Sequence, residues 1–174
     1  MRYFIRRMLL AVRLETKLYD EIKADRDAMG QAIAVVALSS IAAGVGSIPR
    51  GGPAGIVVST ASAFLSWFIW SLLVYVIGAK ILPEPRTSPD LPALLRTAGF
   101  AAAPGIIRAL GVIPHMTGLV FLVAAVWMTA AMVIAVRQAL DYTSAWRAAA
   151  VSILGWFIQA LITGGLMYAA GKGG

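Results

Sequence analysis

The sequence predicts an all-α membrane protein: a polytopic bundle of transmembrane helices preceded by an amphipathic helix at the membrane interface. Three observations predict it. The 174-residue chain is 60% hydrophobic and 13% charged, about half the charged fraction of a soluble domain, and its mean hydropathy is +0.82. That leaves too little polar surface to cover a water-facing shell. The apolar residues gather in runs long enough to cross a bilayer as helices, whereas five of the 8 acidic residues lie within residues 1–29 and the others are Glu84, Asp90 and Asp141. The net charge of +7 would suggest nucleic acid in a soluble protein; here it records a basic cytoplasmic side and contact with anionic lipid. There is no cysteine, which excludes disulfides, thiolate metal sites and cysteine nucleophiles.

Residues 1–28 form the expected amphipathic helix. On a helical wheel Phe4, Ile5, Met8, Leu9, Val12, Tyr19 and Ile22 share one face, and Arg2, Arg6, Arg13, Lys17, Asp20, Glu21 and Lys23 the other, with Glu15 and Arg26 as exceptions. Arg6, Arg7 and Arg13 are candidates for contact with anionic headgroups or a partner. The apolar run Met8 to Val12, closed by Arg13, is too short for the core of a signal peptide, which needs roughly 7–15 residues.

Residues 29–170 form the transmembrane domain. Residues 29–49 are uncharged and of spanning length. "PRGGP" at 49–53 breaks the helix, and residues 54–82 make a second, longer span. The loop "PEPRTSPD" at 83–90 cannot continue a membrane helix. Residues 91–113 are ambiguous: long enough to cross, yet carrying Arg96, Arg108 and a helix break at Pro104 and Gly105. Residues 116–140 and 145–170 are clear spans, and 171–174 form a flexible tail. The count is four spans, or five if 91–113 crosses rather than re-enters. Basic residues place the N-terminus inside but do not decide between the two: either topology puts 12 of the 15 on one side.

The stretches "LYDEIKADRDAMGQA", "LLVYVIGAKIL", "LLRTAGFAAAPGIIRALGVIP" and "VWMTAAMVIAVRQALDYTSAWRAAAVSILGW", in that order and spacing, resemble the Yip-domain (Ypt-interacting-protein) family, in particular its small bacterial members. The resemblance covers nearly the whole chain. It implies five membrane helices and a cytoplasmic N-terminus, so that residues 91–113 cross, with Pro104 matching the proline of the family's third helix. Eukaryotic relatives act in vesicle traffic and bind lipid-modified Rab-type GTPases, but this sequence lacks their long N-terminal region. An alanine-rich, cysteine-free chain of this type points to a bacterial cytoplasmic membrane.

Nothing in the composition favours an enzyme or a cofactor. The sole histidine, His115, lies in a loop beside Pro114, and no acid lies mid-span. Ser59, Ser62, Ser66 and Ser71 lack a neighbouring base, and no phosphate-binding loop is present. Arg96 and Arg108 have a structural reading, snorkelling or capping of carbonyls released by Pro104, and a functional one, holding anionic lipid headgroups or a partner's carboxylate. Small residues four apart recur at Ser40/Gly44, Gly99/Ala103, Ala101/Gly105, Ala131/Ala135 and Ala160/Gly164, where helices can approach closely within the chain or in an oligomer or larger complex. Trp67 and Trp70 lie too deep for an interfacial belt and are expected to face a partner or a lipid-filled groove; Tyr142 and Trp146 suit the belt. Arg137 and Asp141 are expected to pair. The function expected is that of a non-enzymatic scaffold or accessory subunit, the alternative being a transporter or channel component using the broken third helix.

Overall fold

The computed structural model describes residues 2–51, 55–88 and 90–171, which fold into seven α-helices with no strand among them. These are α1 (Arg2–Val12), α2 (Thr16–Ala24), α3 (Met29–Gly51), α4 (Gly55–Tyr75), α5 (Leu91–Ala101), α6 (Thr117–Ala139) and α7 (Ala145–Gly171). A 3-10 turn (Arg26–Ala28) leads into α3, a π-helix (Val76–Ile81) prolongs α4, and a 3-10 helix (Ala103–Val112) prolongs α5. Five of the helical stretches are long and apolar enough to cross a membrane, including Leu91–Val112. The expected tail from residue 172 onward and the last two residues of the turn at 49–53 lie outside the described residues.

The N-terminal segment is not the single interfacial helix expected. Leu14 adopts φ 61°, a left-handed conformation costly for a side chain with a Cβ, and this breaks the segment into α1 and α2. The second helix packs into the bundle against α5 and α6, burying Leu18, Tyr19 and Ile22. Only α1 keeps an amphipathic outer face, with Ile5 and Leu9 half-exposed and Arg2 and Arg6 exposed, followed by the exposed Arg13 just after it.

The ambiguous third segment runs in one direction throughout. Gly99 abuts Ala32, Gly105 abuts Ser39, and Gly111 abuts Gly46, so residue numbers rise together on α3 and on the third segment. The two are parallel over 14 residues of α3, about 21 Å of helix. A re-entrant hairpin would reverse that order halfway. Pro104 supplies no N–H to the α-helical ladder, and the chain continues instead in the tighter 3-10 form; eleven α residues and ten 3-10 residues reach about 37 Å, enough for the hydrocarbon core.

Because α3 and the third segment are parallel, the intervening α4 returns between them, with Ile56 against Gly44. One end of the bundle therefore gathers α2 and the loops at 82–88 and 140–144. It is held by polar contacts. Lys23 pairs with Asp141 at 2.5 Å. The Tyr142 hydroxyl lies 2.8 Å from the carbonyls of both Gly78 and Leu82, which share its one proton, in and after the π-turn whose widened ladder leaves them available. Glu84, 8% exposed, accepts from the backbone N–H and hydroxyl of Thr143 at 2.8 and 2.6 Å and lies 3.7 Å from Arg147. Tyr142 is thus a buried strut, not a belt residue, whereas Trp146 is 86% exposed. Arg137 turns to the carbonyls of Tyr142 and Thr143, because Asp141 is engaged by Lys23.

The Thr143 hydroxyl and then its N–H hold the Glu84 carboxyl below its ordinary pKa. A lowered pKa means that this contribution to stability is complete above the usual carboxylate range and is lost as pH falls through the lowered value. Thermal unfolding in mild detergent should show a stable plateau near neutrality and a falling midpoint below roughly pH 4. Glu84→Gln should lower the neutral-pH midpoint and shrink the difference between the two conditions; an unchanged pH response would contradict this role for Glu84.

Candidate intramembrane cation site

The third segment places its two arginines in different surroundings. Arg96, 4% exposed, points toward the polar end, where its Nε donates to the carbonyl of Ile22 at 3.2 Å and its Nη2 to that of Lys23 at 2.7 Å. These are carbonyls of the last turn of α2, the electronegative end of the helix dipole. Arg96 is therefore a cap that fastens α2 to the bundle, committed to protein rather than lipid. Arg96→Leu should lower stability by about 2 kcal/mol, measured by thermal unfolding, with α2 the first element to lose amide protection.

Arg108 does not snorkel toward its nearer end. Its side chain folds back one turn, Nε donating to the carbonyl of Gly105 at 2.9 Å and Nη2 to the carbonyl and hydroxyl of Ser39 at 3.0 and 2.7 Å. Ser39 is the eleventh of 23 residues in α3, so the guanidinium lies near mid-bundle. Gly105 makes room for it: a Cβ there would stand 2.8 Å from Nη2. Pro104 and Gly105 thus act together, one switching the helix to the 3-10 form and the other admitting the cation. No carboxylate among the described residues pairs with Arg108.

Arg108 lines a cavity of about 270 Å³ between α3, α4, the third segment, α6 and α7. Trp67, Trp70 and Gln159 share it, and the indole nitrogens of both tryptophans and Oε1 of Gln159 have no hydrogen-bond partner among the described residues. Trp70 is 3% exposed and packs on Trp156 at a ring separation of 6.2 Å. The deep tryptophans therefore face an interior cavity carrying a cation, rather than the belt. Arg108 also borders a second hollow of about 280 Å³ with Phe121, Ala125, Met128, Thr129 and Trp156, on the α6–α7 side.

The remaining sequence candidates divide. Arg6 is exposed on α1, and Arg13 is exposed just beyond its last residue. Arg7 is 1% exposed and committed to protein partners: it bonds to Glu21 at 2.7 Å, Asp25 at 2.7 Å and Gln31 at 3.2 Å, with the Tyr3 ring 4.3 Å away. Ser39, Trp156 and Gln159 are part of the cavity but were not among the candidates. A serine in an apolar run and a mid-span glutamine carry no pattern of their own; the register of α3 against the third segment brings Ser39 to Arg108, and the packing of α7 on α4 brings Gln159 to the cavity.

The bundle has the order of elements expected from the sequence resemblance, and the family model of the Yip1 domain matches residues 16–167. The chain belongs to the Yip1 domain family. Its Yip1 domain opens at Thr16, the first residue of α2, so α1 and the Leu14 break precede the matched region, while Arg108 and its cavity lie inside it. No curated protein and no solved structure matches this Yip1-domain chain.

Proposed function

We propose that this Yip1-domain protein is a non-enzymatic accessory subunit or scaffold of a bacterial cytoplasmic membrane, with its N-terminus on the cytoplasmic side. The observation that carries the reading is the far half of α7. Residues 160–165 are all exposed, more than a full helical turn, so every face of this stretch is accessible. It includes the small pair Ala160 and Gly164, and a Cβ at Gly164 or Gly165 would meet nothing within 4 Å. The other small-residue pairs pack internally, as Gly44 does on Ile56 and Gly99 on Ala32. Helices associate in lipid through close backbone approach at such residues, and this half of α7 is the one left available.

The basic outer face of α1 supports placement beside anionic lipid. Replacing Arg2, Arg6 and Arg13 with Gln should reduce co-purifying anionic phospholipid; an unchanged amount would remove α1 from that role. The transport alternative has the central cavity in its favour and is tested by solute flux in proteoliposomes.

A photo-crosslinking amino acid at Leu161, in native membranes, tests the main reading. A discrete, stoichiometric adduct with a different membrane protein is expected, and none from the buried Ala148. Adducts with lipid alone, or with the chain itself alone, would overturn the accessory-subunit reading.

A further inference from the structure

We propose that Arg108 receives a carboxylate carried mid-span by a partner's transmembrane helix, docked at the hollow on the α6–α7 side; this rests on the accessory-subunit reading. The argument begins with depth. The guanidinium is bonded to Ser39 and shares its surroundings with Met128, the twelfth of 23 residues in α6. Both neighbours are about 15 Å of helix from the ends of their elements, half the thickness of the hydrocarbon core. A phospholipid headgroup belongs at the interface and would have to be drawn that distance inward. A side chain on a spanning helix is already at that level.

Charge supplies the next step. An arginine stays protonated in a protein, and a cation in the bilayer interior is costly until paired. Nε and Nη2 of Arg108 are held by neutral acceptors, which solvate the cation without neutralising it, and Nη1 makes none of these bonds. The chain does not provide the missing charge. Its acids beyond the N-terminal helices, Glu84, Asp90 and Asp141, stand at element ends, so a second copy would bring no mid-span carboxylate either. Ala125, exposed on the bordering face of α6, leaves a neighbouring backbone room to come close.

The experiment uses the full chain in nanodiscs of neutral phosphatidylcholine and fluorescent leucine–alanine helices of about 23 residues. One carries a central Glu, another a central Gln, and a third a Glu one turn from its end. The central-Glu helix should bind at least about tenfold more tightly than the other two. Arg108→Gln should abolish the preference, and Arg108→Lys, which keeps the charge, should retain part of it and serves if the Gln variant does not fold. Equal binding of the central-Glu and central-Gln helices, or a preference surviving in Arg108→Gln, would overturn the proposal. So would loss of the preference in phosphatidylglycerol discs, which assigns Arg108 to a lipid anion, or Arg108-dependent self-association. Photo-adducts from Leu161 that persist in Arg108→Gln would leave the accessory-subunit reading standing while the peptide result decides Arg108.

Discussion

Replacing Arg7 with alanine is expected to release α1 from the bundle while leaving the five long helices folded. Arg7 is the buried cation that joins α1, α2 and α3. Its Nε and Nη2 both reach Glu21 Oε1, at 3.0 and 2.7 Å, Nη2 also reaches Asp25 and the Tyr3 hydroxyl at 2.7 Å, and Nη1 reaches Gln31. The Tyr3 hydroxyl in turn donates to Glu21. Truncation would leave two carboxylates facing each other across a site built for one guanidinium. Breaking a buried pair costs about 3–5 kcal/mol; Glu21 and Asp25 are 38% and 30% exposed, which reduces the expected loss to about 2–3 kcal/mol. Hydrogen exchange should show residues 2–12 losing protection. Trp127 gives a second readout, because its indole N–H donates to the Val12 carbonyl at 2.9 Å and its emission should shift as that contact is lost. Lysine should rescue only in part, since an ammonium lacks the planar fork that serves four partners at once. Protection unchanged in Arg7→Ala would show that apolar contacts alone hold α1.

The second large effect is expected from a single methyl group. A Cβ at Gly46 would stand 1.9 Å from the carbonyl oxygen of Arg108 and 2.9 Å from its carbonyl carbon. Both are backbone atoms, so no side-chain rotation relieves the contact, and α3 must move away from the third segment. Gly46→Ala should destabilise by about 3 kcal/mol or more and reduce the monodisperse fraction in size-exclusion chromatography. Gly164→Ala, where nothing lies within 4 Å, should change stability by less than about 0.5 kcal/mol. Similar behaviour of the two variants would argue against the close parallel packing of α3 on the third segment.

The spans were legible in the sequence because bilayer thickness sets their length, and a run such as residues 116–140 admits few other readings. The direction of the third segment was not legible in composition or charge, and only the family resemblance implied that it crosses. Charge counting gave the same total for crossing and re-entry, and the matter turned on the contacts of Gly99, Gly105 and Gly111, which have no signature apart from their partners. Arg7 shows a different limit. Its acidic partners lie 14 and 18 residues away, beyond the reach of helical spacing, and meet it only because the chain reverses at Leu14, a residue with no preference for the left-handed region. Arg108 was recognised as a candidate, but its depth was not: the 3-10 form and the backward turn of the side chain place the guanidinium farther from the membrane surface than an α-helical count suggests. Tyr142 was misplaced because an aromatic near a helix end suits the interface equally well; the π-turn that gives its hydroxyl two carbonyls is invisible in sequence.

The attachment of Glu84 to Thr143 has a mechanical consequence. It fixes the start of α7, and the helix stays clasped along its length, with Gly155 against Val74 and Trp70 and Gln159 Nε2 donating to the Ser66 carbonyl at 3.3 Å. A rod held from its first turn to Gln159 behaves as a clamped beam, and only the exposed stretch beyond, about 9 Å of helix to Gly165, overhangs the clamp. Bending of that overhang leaves the wall of the Arg108 cavity, which Trp156 and Gln159 line, in place.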